Sequence, residues 1–253
     1  KVEAMDMEDL RPLVDYKVLQ EFRDRALSPM RPEMRGMAEN PDVFFAHRES
    51  CNRYYDGVAD IVSDYMKEIS KITGREYRPF NYYGAADAEN IIICMGSACK
   101  AIREVIDYEA AKGNKKLGLI NVHLYRPFSL KYLQEALPKS AKRICVLDRT
   151  KEPGANGEPL YLDVKDALDE LGLKDLLVVG GRYGLGSNDT TPGQMLAVFE
   201  TLVLPQPKNH FTVGINDDLT FTSLPVGEEI AMGDASLFKL RSEERFSRNA
   251  ETD

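Results

Sequence analysis

The pattern of apolar and polar positions changes its beat at about residue 89. From Glu89 to Ile215, short unbroken apolar runs alternate with longer amphipathic ones. ENIIICMG, LGLINV, RICVLD and LLVVGG show no polar alternation, as expected of strands covered on both faces. HFTVGI reads as a fifth strand. Between them lie four helical stretches. SACKAIREVIDYEAAKG is stopped by Gly113, and SLKYLQEAL runs from Ser129 to Pro138. EPLYLDVKDALDELG has Pro159 in its first turn and Gly172 beyond its end. TPGQMLAVFETLV opens on Thr191, Pro192 and Gln194, the spacing of a capping box with proline at the first helical position. Strands alternating with helices predict an α/β fold: an open, mostly parallel five-stranded sheet with helices on both faces.

The first 80 residues keep a different rhythm and contain no convincing strand. Asp15 to Leu27 reads as a helix broken by Pro29 and Pro32, and Pro41 to Cys51 as another. In Asp56 to Thr73, Val58, Ile61, Val62, Tyr65, Met66, Ile69 and Ile72 recur at helical spacing, and Gly74 supplies the stop. REYRPFNYYGAAD reads as an aromatic linker. Beyond about residue 227 the chain becomes charged and loses its period, the pattern of a solvated tail. Three parts are therefore expected: a mostly helical segment over 1–80, an α/β domain over 81–227, and a charged tail over 228–253.

Composition narrows the function classes. The 253 residues are 43% apolar and 29% charged, with a net charge of −8. An acidic balance argues against a nucleic-acid-binding face, which needs clustered Lys and Arg. No run of 18 apolar residues occurs, so no membrane-spanning helix is expected, and the balance suits a cytoplasmic protein. Cys51, Cys94, Cys99 and Cys145 include no C-x-x-C pair. Cys94 and Cys145 sit in strand-like runs, where a free cysteine acts as a small apolar residue. His47, His123 and His210 are far apart, so no metal is expected on Cys or His.

Candidate chemistry gathers at the ends of the strands. GGRYGLGSNDTTPGQ, residues 180–194, is a glycine-rich turn between strand and helix. It lacks the lysine of a Walker loop, and its glycines follow the fourth strand in the wrong order for a dinucleotide fingerprint. Gly181, Gly184 and Gly186 are read as shaping the loop, with freedom for positive φ. LDRTKEPGANGEP places Asp148 at the carboxyl end of the third strand, the edge where open α/β sheets bind ligands. Arg126, Arg149, Lys151 and Arg182 are expected at that same edge. They either pair internally with Asp148, Glu152 and Asp189, or meet a neighbouring domain or an anionic ligand. No catalytic arrangement of Ser, His, Asp or Cys is evident.

Several longer stretches carry a resemblance. RGMAENPDVFF, REYRPFNYYGAADAE, VHLYRPFS, VLDRTKEPGA, EPLYLDV, GGRYGLGSND and HFTVGINDDLTFTSLP resemble the middle of pyruvate:ferredoxin (flavodoxin) oxidoreductases, from about residue 10 to about residue 227. The resemblance implies the end of that family's first domain followed by its second, which has the fold of the transketolase carboxy-terminal domain with one antiparallel strand. It implies a parent oxidoreductase that converts pyruvate and coenzyme A to acetyl-coenzyme A and carbon dioxide. Thiamine diphosphate, magnesium and iron–sulfur clusters would be held elsewhere in a dimeric parent, and electrons would leave to ferredoxin or flavodoxin. This piece, lacking the thiamine and cluster motifs, is expected to be non-catalytic by itself and to bind no cofactor. The alternative is a stand-alone nucleotide- or anion-binding α/β module using the 180–194 loop.

Overall fold

The computed structural model describes residues 4–36, 38–114, 116–216, 218–227 and 229–230. The expected charged tail therefore lies, apart from Glu229 and Ile230, outside the described residues. The chain divides into two compact units, one of residues 1–79 with 124–129, the other of 80–123 with 130–253.

The first unit is helical: α1 (Met7–Leu10), α2 (Tyr16–Asp24), α3 (Pro41–Ser50), α4 (Asn52–Tyr55) and α5 (Val58–Thr73). Asp15 caps α2, accepting from the backbone N–H groups of Lys17 and Val18 at 3.0 and 3.1 Å. Gly74 ends α5 at φ 68°, a left-handed cap that glycine adopts without a Cβ penalty. Large apolar side chains of this unit stay exposed, among them Phe22, Met30, Phe44, Phe45, Tyr54 and Tyr55.

The second unit is the alternating one. Its strands are β1 (Phe80–Gly84), β2 (Asn90–Cys94), β3 (Leu117–Val122), β4 (Arg143–Asp148), β5 (Leu177–Arg182) and β6 (Phe211–Thr212). Its helices are α6 (Ala98–Ala111), α7 (Leu130–Ala136), α8 (Pro159–Glu170) and α9 (Pro192–Leu202). The strand order is β1-β3-β2-β4-β5-β6. Every pairing is parallel except β1 with β3.

The expected open, mostly parallel sheet is present, with six strands where the sequence suggests five. The extra strand comes from the aromatic stretch read as a linker. FNYYG has no apolar run to announce it, yet it closes the sheet antiparallel to β3, with Phe80 opposite Val122 and Gly84 opposite Gly118. At the other edge the expected HFTVGI strand shortens to Phe211 and Thr212, paired with Gly181 and Arg182.

Side chains alternate across the sheet and so sort into two layers. Ile92, Cys94, Leu117, Leu119, Cys145, Leu147 and Val179 pack with Ile102 and Val105 of α6 and with Met195, Val198 and Phe199 of α9. On the opposite face Gly180 lies against the Tyr161 ring of α8, and α7 packs beside β1. All five residues of β2 are buried. Fully burying a single isoleucine is worth roughly 1.5–3 kcal/mol, so Ile91, Ile92 and Ile93 anchor the centre of the sheet.

Candidate functional site

The carboxyl ends of β4 and β5 stand side by side, with Asp148 in register with Arg182. Asp148 is only 3% exposed. Its carboxylate accepts from the Leu160 and Tyr161 N–H groups at 3.0 and 3.1 Å. These are the open donors at the start of α8, where Pro159 has no N–H to offer. Burial lifts the Asp148 carboxyl above its ordinary range, the two N–H bonds pull it back, and the nearby charges of Glu158 and Asp163 lift it further.

Because Asp148 caps α8 from a distance, the residue at the N-cap, Glu158, makes no capping bond of its own. Its side chain instead turns to two cations. Glu158 Oε2 lies 3.5 Å from Arg182 Nη1, and Oε1 lies 3.5 Å from Lys151 Nζ. Glu158 is buried, Arg182 nearly so, and Lys151 half-exposed.

The cations have second duties. Arg182 Nη2 donates to the His210 carbonyl at 2.8 Å. Arg149 Nε donates to the Gly184 carbonyl at 2.8 Å. Lys151 donates to the backbone carbonyl of Glu152, not to its carboxylate, at 3.1 Å. Arg126 belongs to the first unit. There its guanidinium stacks over the Tyr125 ring, 4.0 Å from the centroid, and donates to the tyrosine hydroxyl and carbonyl at 3.1 Å each. Within the second unit, Glu158 thus joins Lys151 and Arg182, while Arg149, next to Asp148 at the end of β4, is tied to the Gly184 carbonyl.

The glycine loop is shaped by close approach and by backbone conformation. A Cβ at Gly181 would overlap the Phe211 ring, and one at Gly180 would come within 2.9 Å of the Tyr161 ring. Gly184 and Gly186 both adopt φ 62°. The expected capping box forms: Thr191 Oγ1 accepts from Gln194 N, and Gln194 Oε1 accepts from Thr191 N. Asn188 Nδ2 donates to the Gly214 carbonyl at 2.8 Å, tying the loop to the chain beyond β6.

Sequence reasoning missed four participants. Glu158 takes two of the cations, Lys151 and Arg182, that the sequence offered to Asp148, Glu152 and Asp189. Asn209 accepts from Gly180 N at 2.8 Å and donates to Tyr161 Oη at 3.2 Å. His210, at φ 55°, places its ring edge-on to Tyr161 with centroids 5.5 Å apart. A carboxylate directly before the proline that opens a helix was the available signal for Glu158, since anions favour helix N-termini. No local signal marked Asn209, His210 or Tyr161.

The residues present do not fit thiamine diphosphate or an iron–sulfur cluster. Cys94, Cys99 and Cys145 are at most 2% exposed and packed in the apolar core. Among the described residues, no group of three or more His, Cys, Asp or Glu side chains converges as a metal site. Arg149, Lys151 and Arg182, the cations at this edge, are engaged by Glu158 and by backbone carbonyls. No helix among the described residues is long and apolar enough to cross a membrane.

Residues 88–195 match the family of the pyruvate:ferredoxin oxidoreductase core domain II. A pyruvate-flavodoxin oxidoreductase of Enterobacter agglomerans is 50% identical over 228 residues, covering 90% of this chain and 19% of that one. The chain belongs to the pyruvate:ferredoxin/flavodoxin oxidoreductase family. The pyruvate:ferredoxin oxidoreductase of Moorella thermoacetica is 49% identical over 95% of this chain and 20% of its own. A pyruvate dehydrogenase [NADP(+)] of Cryptosporidium parvum is 46% identical over 88% of this chain and 12% of its own. The chain thus spans about a fifth of the length of the curated oxidoreductases it matches, and it is a domain-sized part of such enzymes.

Proposed function

We propose that this segment is a non-catalytic structural and interdomain part of a pyruvate:ferredoxin (flavodoxin) oxidoreductase. The whole chain would convert pyruvate and coenzyme A to acetyl-coenzyme A and carbon dioxide, passing two electrons to ferredoxin or flavodoxin. Thiamine diphosphate, magnesium and iron–sulfur clusters would be held by other parts of a dimeric, cytoplasmic parent. The sheet described here would hold those parts in place. The domain limits would be those expected from the sequence, with the α/β part over 81–227.

One observation carries this reading. The carboxyl edge of the sheet, where an open α/β enzyme would hold its ligand, is closed by the chain's own groups. Asp148 is engaged by α8, and Arg182 by Glu158 and the His210 carbonyl. The exposed cations Arg126, Arg149 and Lys151 remain the candidates for contact with neighbouring domains.

The test uses the parent enzyme carrying Arg126→Glu and Lys151→Glu together. Pyruvate-dependent viologen reduction should fall several-fold, with a weakened dimer on size exclusion, while Lys151→Gln with Arg126→Gln, which adds no like charge beside Glu158, should show a smaller loss in the same direction. Full activity with normal assembly would refute the interdomain role. Separately, the 253-residue chain supplied with pyruvate, coenzyme A and viologen should give no turnover, and turnover by it would refute the non-catalytic role.

A further inference from the structure

Beyond β6 the chain turns back and pairs with that strand again. Thr212 N donates to the Thr222 carbonyl at 3.0 Å, and Leu224 N donates to the Thr212 carbonyl at 2.8 Å. Val213 before the turn and Leu224 after it are both buried in the core cluster. The tip between them carries Leu219 and Phe221, 92% and 85% exposed. A lone surface leucine needs no explanation, but two large apolar side chains on one tip, both turned to water, mark a contact surface.

The tip is held in place. The Asp218 carboxylate accepts from Thr220 N at 3.1 Å, from Thr220 Oγ1 at 2.7 Å, and from Ser223 N. The hydroxyls of Thr220, Thr222 and Thr212 follow one another in a chain, 2.8 and 3.2 Å apart. Lys208 Nζ donates to the Phe221 carbonyl at 2.6 Å. These bonds keep Phe221 at φ 56°, a left-handed conformation that crowds Cβ and is an outlier for a bulky side chain. Such strain persists only where the surroundings over-determine it, and it gathers at functional positions. The polar groups of the tip are engaged in the turn itself, and its apolar groups are left to water.

We infer that Leu219 and Phe221 form a docking anchor that seats in an apolar pocket on another domain of the same full-length chain. The inference rests on the interdomain reading above and names the residues that make one of its contacts. What surrounds this segment in its relatives points to the occupant. The match to the Moorella thermoacetica enzyme covers 95% of this chain, and the uncovered twentieth is too short to reach back from Asp253 to the tip. That match is only 20% of the enzyme's own length, so most of such a polypeptide lies outside this segment and is tethered to it. Tethering gives a neighbouring domain a high effective concentration. Permanent contacts are also the more apolar ones, whereas electron-transfer encounters are small and brief. Two uncharged side chains on a tip already fixed in shape lose little freedom on docking.

The first test needs no variant. Hydroxyl radicals oxidise exposed phenylalanine and leucine, and trypsin releases both residues in one peptide, 209–239. The 253-residue chain and a full-length oxidoreductase containing it receive the same radical dose, and fragmentation of the peptide assigns each added oxygen. Leu219 and Phe221 should be oxidised several-fold more slowly in the full-length enzyme, with no electron carrier added and whether or not its subunits are dissociated. Equal oxidation in the two proteins overturns the inference. Protection lost on dissociation would put a second copy on the tip, and protection gained only with ferredoxin or flavodoxin would put the carrier there; either result overturns it too. A second test joins Leu219→Asn to Phe221→Asn, asparagine being tolerant of left-handed backbone. The urea midpoint of the 253-residue chain should hold or rise, and that of the full-length enzyme should fall. An equal loss in both would make the pair internal packing and sink the anchor. The interdomain reading is judged by assembly and turnover of the Arg126 and Lys151 variants, the anchor by the footprint, so each can fail alone.

Discussion

Glu158 and Arg182 meet 3.5 Å apart, with the carboxylate buried and the guanidinium nearly so. One residue precedes a helix and the other ends a strand, 24 positions later in the chain. Their contact fastens the α8 entry to the end of β5, and Arg182 extends it to the His210 carbonyl.

Removing one member of such a pair leaves an uncompensated buried charge, which costs about 3 kcal/mol. Arg182→Met should therefore lower the denaturant midpoint markedly, and Glu158→Gln somewhat less, because glutamine still accepts a hydrogen bond. The double variant should lose less than the sum of the two. Urea unfolding of all four proteins checks the cycle, and strict additivity would mean the pair is not coupled.

The glycines should separate by mechanism. Gly181→Ala pushes a methyl into the Phe211 ring, an overpacking expected to cost about 3 kcal/mol. Gly186→Ala meets no neighbouring atom and carries only the left-handed backbone cost of about 1 kcal/mol. Equal losses in urea unfolding would contradict this division.

The start of α9 gives a smaller effect. Thr191 Oγ1 accepts from Gln194 N at 3.3 Å and donates to Glu229 at 2.8 Å. Thr191→Ala should cost about 1 kcal/mol, and Thr191→Ser should keep most of it. Thermal unfolding of both variants distinguishes a cap from a merely space-filling side chain.

Asp148 sets a pH dependence of known sign. Its carboxyl titrates above the unfolded value of 3.8 because burial disfavours the charged form. Between that value and the higher folded one, the native state holds more protons than the unfolded chain. Asp148's contribution to stability therefore falls as pH rises through this window and is level above it. Asp148→Asn should flatten that segment of the curve. Unfolding midpoints measured from pH 4 upward, wild type against variant, test it, and a wild-type slope retained by the variant would assign the titration to another group.

Much of the second unit was legible in the chain because its signals are local. NIIIC and RICVLD are apolar on both faces, Thr191 and Gln194 stand three apart, and Gly113 and Gly172 follow their helices. Each is decided by neighbours within a turn or two. The FNYYG strand was not legible, since nothing in its pattern says which edge it joins. β3 supplies its backbone partners, and β3 begins more than 30 residues later. The cation cluster was half-legible. Placing Arg149, Lys151 and Arg182 near strand ends follows from strand length, but their partners do not.

By itself, then, the sequence determined the alternating layers, the helix caps, the acidic surface and the family motifs, all properties of residue type and short spacing. Tertiary structure alone decided that Asp148 would cap a helix eleven residues away, leaving Glu158 to take the cations, and that Asn209 would reach Gly180. Hydrogen bonds and ion pairs between groups far apart in the chain depend on which elements the sheet sets side by side, and buried charge accepts whichever partner that packing provides.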